Sequence, residues 1–321
     1  MIVLGIETSC DETSASIVQD GVWVLSNQTQ TSLREHARFG GVIPEIASRR
    51  QTELIYPIVD SALAEAKVKL TDVDAIAYTQ SPGLLGSLLV GISFAKGLGL
   101  ALNKTLIPVD HIQGHLYASF LRQNNDSNPL PKLPAIGLVV SGGHTSLYKV
   151  SSFKRIDLLS QTQDDAAGEA FDKVARLLDL GYPGGPIIDR LTSSMEKSDI
   201  QFPKARLKHE LDFSFSGVKT AVLYYVQKYG QDKNFSKSKV AFAFSSCVVD
   251  TLIEKALLAC QKHRIRTLLV GGGVAANSML RIRLFSKAKH AGVDVHIPPM
   301  AYCLDNAAMI AGLGFAQHIG N

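Results

Sequence analysis

The chain has 321 residues, 46% of them hydrophobic, with 33 Lys and Arg against 29 Asp and Glu. So apolar a composition excludes intrinsic disorder, and the length suits two ordinary domains or one large one. The formal charge of +4 permits a polyanionic partner without requiring one.

Chain order begins with strand, turn, strand: Ile2 to Glu7 is extended, Thr8 to Thr13 is polar, and Ser14 to Val18 alternates before a further strand from Val22 to Leu25. No basic leader precedes the first strand, so neither a signal nor a transit peptide is expected. Ala75 to Thr79 is strand-like, and Ser81-Pro82-Gly83 leads into Leu84 to Leu102, the stretch most like a membrane span. Its glycines, serines and central Lys96 predict instead a helix buried beside a sheet, and no membrane association. An extended Leu106 to Val109 then opens a helix at His111, and a polar, aperiodic linker is expected at 123–129.

The same grammar returns. Ile136 to Val140 is apolar, Ser141-Gly142-Gly143-His144-Thr145 is a turn, and Ser146 to Val150 alternates. Thr267 to Val270 precedes a glycine run and a helix from about Ala275 to Lys289, with Val295 to Pro298 strand-like after it. Repetition of hairpin plus βα predicts an α/β chain of two similar halves, 1–130 and 131–321, whose mixed sheets are flanked by helices with a cleft between the lobes. The last helix could pack back on the first half. The scattered Cys10, Cys247, Cys260 and Cys303 form no C-x-x-C pair, so reduced thiols and a cytoplasmic protein are expected.

Several constellations could carry chemistry. His111 and His115, four apart at a helix start, share a face and could chelate one divalent ion, or could simply be surface histidines. A zinc peptidase would need an acid where Ile112 stands. Asp305 could supply a third ligand, or be the N-cap of the helix that follows. The amides of Ser141-Gly142-Gly143 could cradle a phosphate or form a plain hairpin turn, and Asp11 and Glu12 in the matching first turn could be solvated turn residues. Gly271 to Asn277 suits a strand–helix junction facing one nucleotide, with Asn277 reading its edge or capping a helix. Asp164 and Asp165 would complement a helix dipole, whereas Asp172, Gly185 and Asp189 suit a ribose or ammonium group. The basic runs Lys204 to His209 and Lys262 to Arg266 read as solvated faces without interleaved aromatics.

Seven strings, Gly5 to Thr13, Gly40 to Arg49, His111 to His115, Val140 to Thr145, Asp165 to Lys173, Tyr182 to Pro186 and Phe213 to Thr220, together resemble the bacterial tRNA N6-adenosine threonylcarbamoyltransferase family (TsaD, formerly the glycoprotease family) over nearly the whole chain. The resemblance implies an actin/sugar-kinase/Hsp70-like (ASKHA) fold. It also implies transfer of the threonylcarbamoyl group from threonylcarbamoyl-AMP to N6 of adenosine 37 in tRNAs reading ANN codons, releasing AMP. Carried over, His111, His115 and Asp305 would bind one divalent metal, Fe(II) before Zn(II). Val139, Val140, Ser141, Gly142, Gly143, Asp172, Gly185, Asp189 and Asn277 would hold the adenylate. Asp11 or Glu12 would orient the amine or accept its proton. A paralogous non-catalytic subunit (TsaB) and a small ATPase (TsaE) are the implied companions, with the helix from Leu84 as docking surface. The chain ends soon after Asp305, where many relatives carry a further tail, which leaves any contact made by that tail in question. The alternative is an ATP-dependent kinase of the same fold, which would not need the histidine pair.

Overall fold

A computed structural model describes residues 1–319 other than 38, 124, 125, 127 and 128, so much of the linker expected at 123–129 lies outside the described residues. The chain divides into two compact units, residues 1–131 with 298–321 and residues 132–297. The chain from Pro298 onward, including the last helix, thus belongs to the first unit.

In unit 1, β1 (Ile2–Glu7), β2 (Glu12–Gln19) and β3 (Trp23–Thr31) form an antiparallel meander, followed by α1 (Leu33–Ala37) and α2 (Pro44–Ala66). Then come β4 (Ala75–Ser81), α3 (Leu85–Leu102), β5 (Thr105–Asp110) and α4 (His111–Tyr117). β4 lies parallel to β1 and β5 parallel to β4, giving the order β3-β2-β1-β4-β5. The central strand β1 is almost wholly apolar because helices cover both its faces. Leu4, Ile6, Ile17 and Ile76 pack with Ile55, Ile58 and Ala62 of α2 in one core cluster.

Unit 2 repeats the plan. β6 (Ala135–Val140), β7 (Thr145–Ser152) and β8 (Arg155–Gln161) form the meander, then α5 (Ala167–Leu177), α6 (Gly184–Thr192), α7 (Ser216–Tyr229) and the long α8 (Lys237–His263) intervene. β9 (Thr267–Gly271), α9 (Ser278–Ala291) and β10 (Asp294–His296) complete the sheet. Its order β8-β7-β6-β9-β10 matches, strand for strand, that of unit 1. α10 (Ala307–Ile319) then packs on β1, β2, β4 and α4 of unit 1.

Among the described residues α3 is the one helix long and apolar enough to cross a bilayer. It is not the buried helix expected. Ser87, Leu88, Gly91, Ala95 and Gly99 are buried, yet Leu85, Leu89 and Leu100 on the other face are 76%, 53% and 86% exposed. α9 starts three residues later than expected, because the Asn277 side chain accepts from Leu280 N and caps it. All four cysteines are free thiols.

Candidate metal centre and nucleotide-binding turns

β5 ends at Asp110, whose Oδ1 accepts from Gln113 N at 2.9 Å and so starts α4 at His111. His111 and His115 then share a helix face one turn apart, both buried, with ring centroids 4.7 Å apart. Asp305 reaches them from the segment before α10: its Oδ1 is 3.6 Å from His111 Nε2 and 3.1 Å from His115 Nε2. Asp305 is not the N-cap. That role falls to Asn306, whose Oδ1 accepts from Met309 N at 3.0 Å while its amide donates to Leu304 O at 2.8 Å, so the Asp305 carboxylate is turned toward the imidazoles.

The donor set fits a divalent cation. One ligand atom from each residue can be chosen so that all lie within 4.8 Å of one another. Separations of 3.1 and 3.6 Å to the carboxylate are those of neighbouring ligands held roughly 2.1 Å from a common ion. His115 is fully buried, yet neither ring nitrogen makes a hydrogen bond. A buried imidazole left without a partner is costly, and an ion removes that cost. His111 has a supporting shell: its Nδ1 lies 3.1 Å from Glu7 Oε2 and 3.1 Å from Ser9 Oγ. Donation from Nδ1 to Glu7 leaves Nε2 as a lone-pair ligand facing Asp305. Glu7 is itself pinned by Ser9 N, 2.5 Å from its Oε1, and by the Thr79 hydroxyl. Burial works against charge on His111, but Asp305 and Glu7 overcome it and raise its pKa to about 9. The pocket thus holds more negative charge than its own side chains neutralise.

The turn between β1 and β2 borders this cluster. Gln51 of α2 donates to Cys10 O and Glu12 O, both at 2.9 Å, and Leu84 N donates to Ser9 O at 2.8 Å. Asp11 Oδ2 accepts from Thr31 Oγ1 at 3.3 Å. Burial, then the nearby Asp305 and Asp11 carboxylates, hold Glu12 well above the ordinary carboxylate range. The Cys10 thiol is pushed up for the same reasons, burial first, which favours its uncharged form.

In unit 2, Val139 and Val140 are buried at the end of β6, where Ser141 N donates to His144 O at 2.8 Å and closes the turn. Gly142 and Gly143 stand exposed, with nothing within 4 Å of where a Cβ would lie. Gly272 backs this turn: its φ is +92°, and a Cβ there would meet Val140 O at 2.4 Å. Asp172 has a structural partner, since Gly184 N donates to its Oδ1 at 2.7 Å and the carboxylate caps α6; burial nonetheless raises its pKa. Gly185, next on α6, faces open space. Asp189 accepts from Ser278 Oγ at 2.7 Å, tying α6 to α9. Asp164 does not serve α5, and Asp165 ties α5 to α7. Asp164 accepts from Phe215 N at 2.8 Å and from Ser216, capping α7, and Asp165 pairs with Lys173 and Lys219 at 2.6 and 2.7 Å.

Sequence reasoning missed Glu7, Ser9, Thr79 and Gln51. The available signal was Glu7 itself, an acid ending a run of five apolar residues, in a strand that helices bury.

The model of the family described as tRNA N6-adenosine threonylcarbamoyltransferase (TsaD) matches residues 23–312. A protein of that name from Dictyoglomus turgidum is 49% identical over 98% of this chain and 93% of its own. One from Moorella thermoacetica is 49% identical over 99% and 92%. Among solved structures, full-length HypF in its phosphate- and nucleotide-bound form superposes with a TM-score of 0.63 at 16% identity, covering 99% of this chain and 46% of that one. Component A of (R)-2-hydroxyglutaryl-CoA dehydratase from Acidaminococcus fermentans gives 0.55 at 14%, covering 99% and 97%. At these identities the structural likeness bears on the fold, which is the actin/sugar-kinase/Hsp70-like one. By sequence, the chain belongs to the tRNA N6-adenosine threonylcarbamoyltransferase family.

Proposed function

We propose that the chain transfers the threonylcarbamoyl group of threonylcarbamoyl-AMP to N6 of adenosine 37 in tRNAs reading ANN codons, releasing AMP. The observation that carries this reading is the buried His111–His115–Asp305 cluster in a chain of this family. A kinase of the same fold has no use for such a cluster.

His111 Nε2, His115 and Asp305 would hold one divalent ion, and two imidazoles with one carboxylate suit Fe(II) or Zn(II). A divalent ion held there would supply Lewis-acid charge of the kind that stabilises a leaving phosphate. Glu7 and Ser9 fix the tautomer and orientation of His111. The open Gly142 and Gly143 offer backbone amides to the adenylate, with Val139, Val140, Ser141, Asp172, Gly185, Asp189 and Asn277 shaping the rest of its site. Because an exocyclic adenine amine is a weak nucleophile, positioning carries much of the rate. Burial and the acidic surroundings of Glu12 favour its neutral form, and Asp11 or Glu12 would orient the amine or accept its proton. The exposed leucines of α3 form the surface for a paralogous non-catalytic subunit of the TsaB kind, with a TsaE-like ATPase as a further companion, and the work is done in the cytoplasm, where the tRNA is.

The test mixes purified chain, threonylcarbamoyl-AMP and unmodified tRNA, with and without the companions, and analyses the nucleosides by mass spectrometry. Threonylcarbamoyladenosine is the expected product. Its absence under every combination, with folded and metal-loaded protein, overturns the reading.

A further inference from the structure

The formal charge of the chain is unevenly placed. Unit 2 carries 24 Lys and Arg against 15 Asp and Glu, a net of +9, whereas unit 1 carries 9 against 14, a net of −5. Within unit 2 the structure joins the two basic runs, far apart in sequence, into one strip. The exposed, irregular segment from Lys204 to Glu210 runs beside the last turns of α8. Lys204 Nζ meets Glu254 Oε1 at 2.5 Å, Lys255 Nζ donates to Glu210 O at 2.8 Å, and Lys262 pairs with the Glu210 carboxylate. Residues 204–212 and 254–266 together hold seven Lys and Arg against three acids.

Two acids, Glu210 and Glu254, are spent on Lys204 and Lys262, and Asp212 accepts from Ser160 and Gln163. Arg206, Lys208, Arg264 and Arg266 are exposed and make no ion pair among the described residues. Four unneutralised cations on one strip form a site for a polyanion. No aromatic ring is interleaved among them, so the strip suits phosphates rather than stacked bases. The part of α8 involved, Glu254 to His263, is about 14 Å long, enough to face more than one phosphate of a strand.

We propose that this strip carries the phosphate backbone of the tRNA, positioning it without reading its sequence. The proposal rests on the transferase reading above, which supplies the tRNA.

The experiment uses the full chain and a fluorescent unmodified tRNA transcript, with Kd measured by anisotropy from about 50 to about 200 mM salt. Arg206→Glu with Lys208→Glu, and separately Arg264→Glu with Arg266→Glu, should each weaken binding by about tenfold or more. Each pair should also flatten the salt dependence by about two in the log–log slope, without lowering Tm. Lys67→Glu with Lys69→Glu in unit 1 changes net charge equally and should shift Kd by less than about twofold. Parent-like affinity in both strip variants, an equal loss in the unit 1 control, or no binding by the parent at about 50 mM salt would each overturn the proposal. Nucleoside analysis of the same parent separates the two readings. Threonylcarbamoyladenosine formed while strip variants bind like the parent removes the strip and leaves the transferase. Strip-dependent binding with no product removes the transferase and leaves the strip.

Discussion

The turn after the first strand of each sheet occupies the same topological place, and the two are built to opposite ends. In unit 1 the turn at 8–11 is packed under α2 and α3, and its carbonyls are tied down by Gln51, Ser87 and Leu84. Its side chains, together with Glu7 and Glu12 on the flanking strands, bring acid toward buried imidazoles. In unit 2 the turn at 141–144 is met from one side by the start of α5, where Gly168 N donates to Ser141 O at 3.1 Å, but Gly142 and Gly143 stay exposed and present backbone instead. Both keep the same buttress: a Cβ on Gly83, after the fourth strand of the first sheet, would meet Ser9 O at 2.6 Å, as one on Gly272 would meet Val140 O. The scaffold is duplicated down to a close-approach glycine. What differs is how far helices close over the turn, and so whether it presents side chains or bare amides.

The sharpest way to break this contrast is to remove the charge that the first unit supplies. Asp305→Asn should lower transfer by more than about a hundredfold and abolish stoichiometric metal, read by elemental analysis, with circular dichroism unchanged. Glu7→Gln touches no ligand position, yet should weaken metal affinity about 10- to 100-fold through His111, measured by competition with a chelating dye. The paired glycines of unit 2 test the opposite property. Gly272→Ala should cost about 3 kcal/mol in denaturant unfolding, since both its φ and its backbone contact forbid a side chain. Gly142→Ala should cost under about 0.5 kcal/mol while weakening adenylate binding by calorimetry. Protons compete with the ion as well. Because the His111 pKa is raised to about 9, its proton must leave when metal binds, so apparent affinity should climb about tenfold per pH unit up to about 9 and then level off. In metal-free protein the sign reverses for stability: the charged His111 contributes fully below 6.5, and that contribution fades as pH rises through about 9. The smallest effect is Asp164→Ala, where loss of the α7 cap should cost about 1 kcal/mol in thermal unfolding.

Much of this was legible in the sequence because it depends on local periodicity. The first meander, the hairpin that opens unit 2, the glycine turns and the start of α4 at His111 all follow from alternation and helix-start chemistry over a few residues, whereas β8 was not foreseen. The sequence could not show that Asn306 rather than Asp305 caps α10, since both residues are good caps and only the backbone path chooses. Nor could it show that Asp164 serves α7 instead of α5, a choice made by the Phe213 segment lying beside it. α3 misled because small residues at helical spacing describe a packed face equally well whether or not the opposite face is covered. The Glu7–His111 pair spans more than a hundred residues, beyond the reach of any spacing argument.

Unit 2 is continuous in the chain, whereas unit 1 is completed by residues that follow it. During synthesis, residues 132–297 can therefore collapse while the first sheet still lacks the helix that covers one of its faces. The ion's carboxylate, Asp305, follows all of unit 2 in the chain. Metal capture then requires residues beyond unit 2, and a chain broken off after residue 297 would keep its glycine turns but never take up the ion.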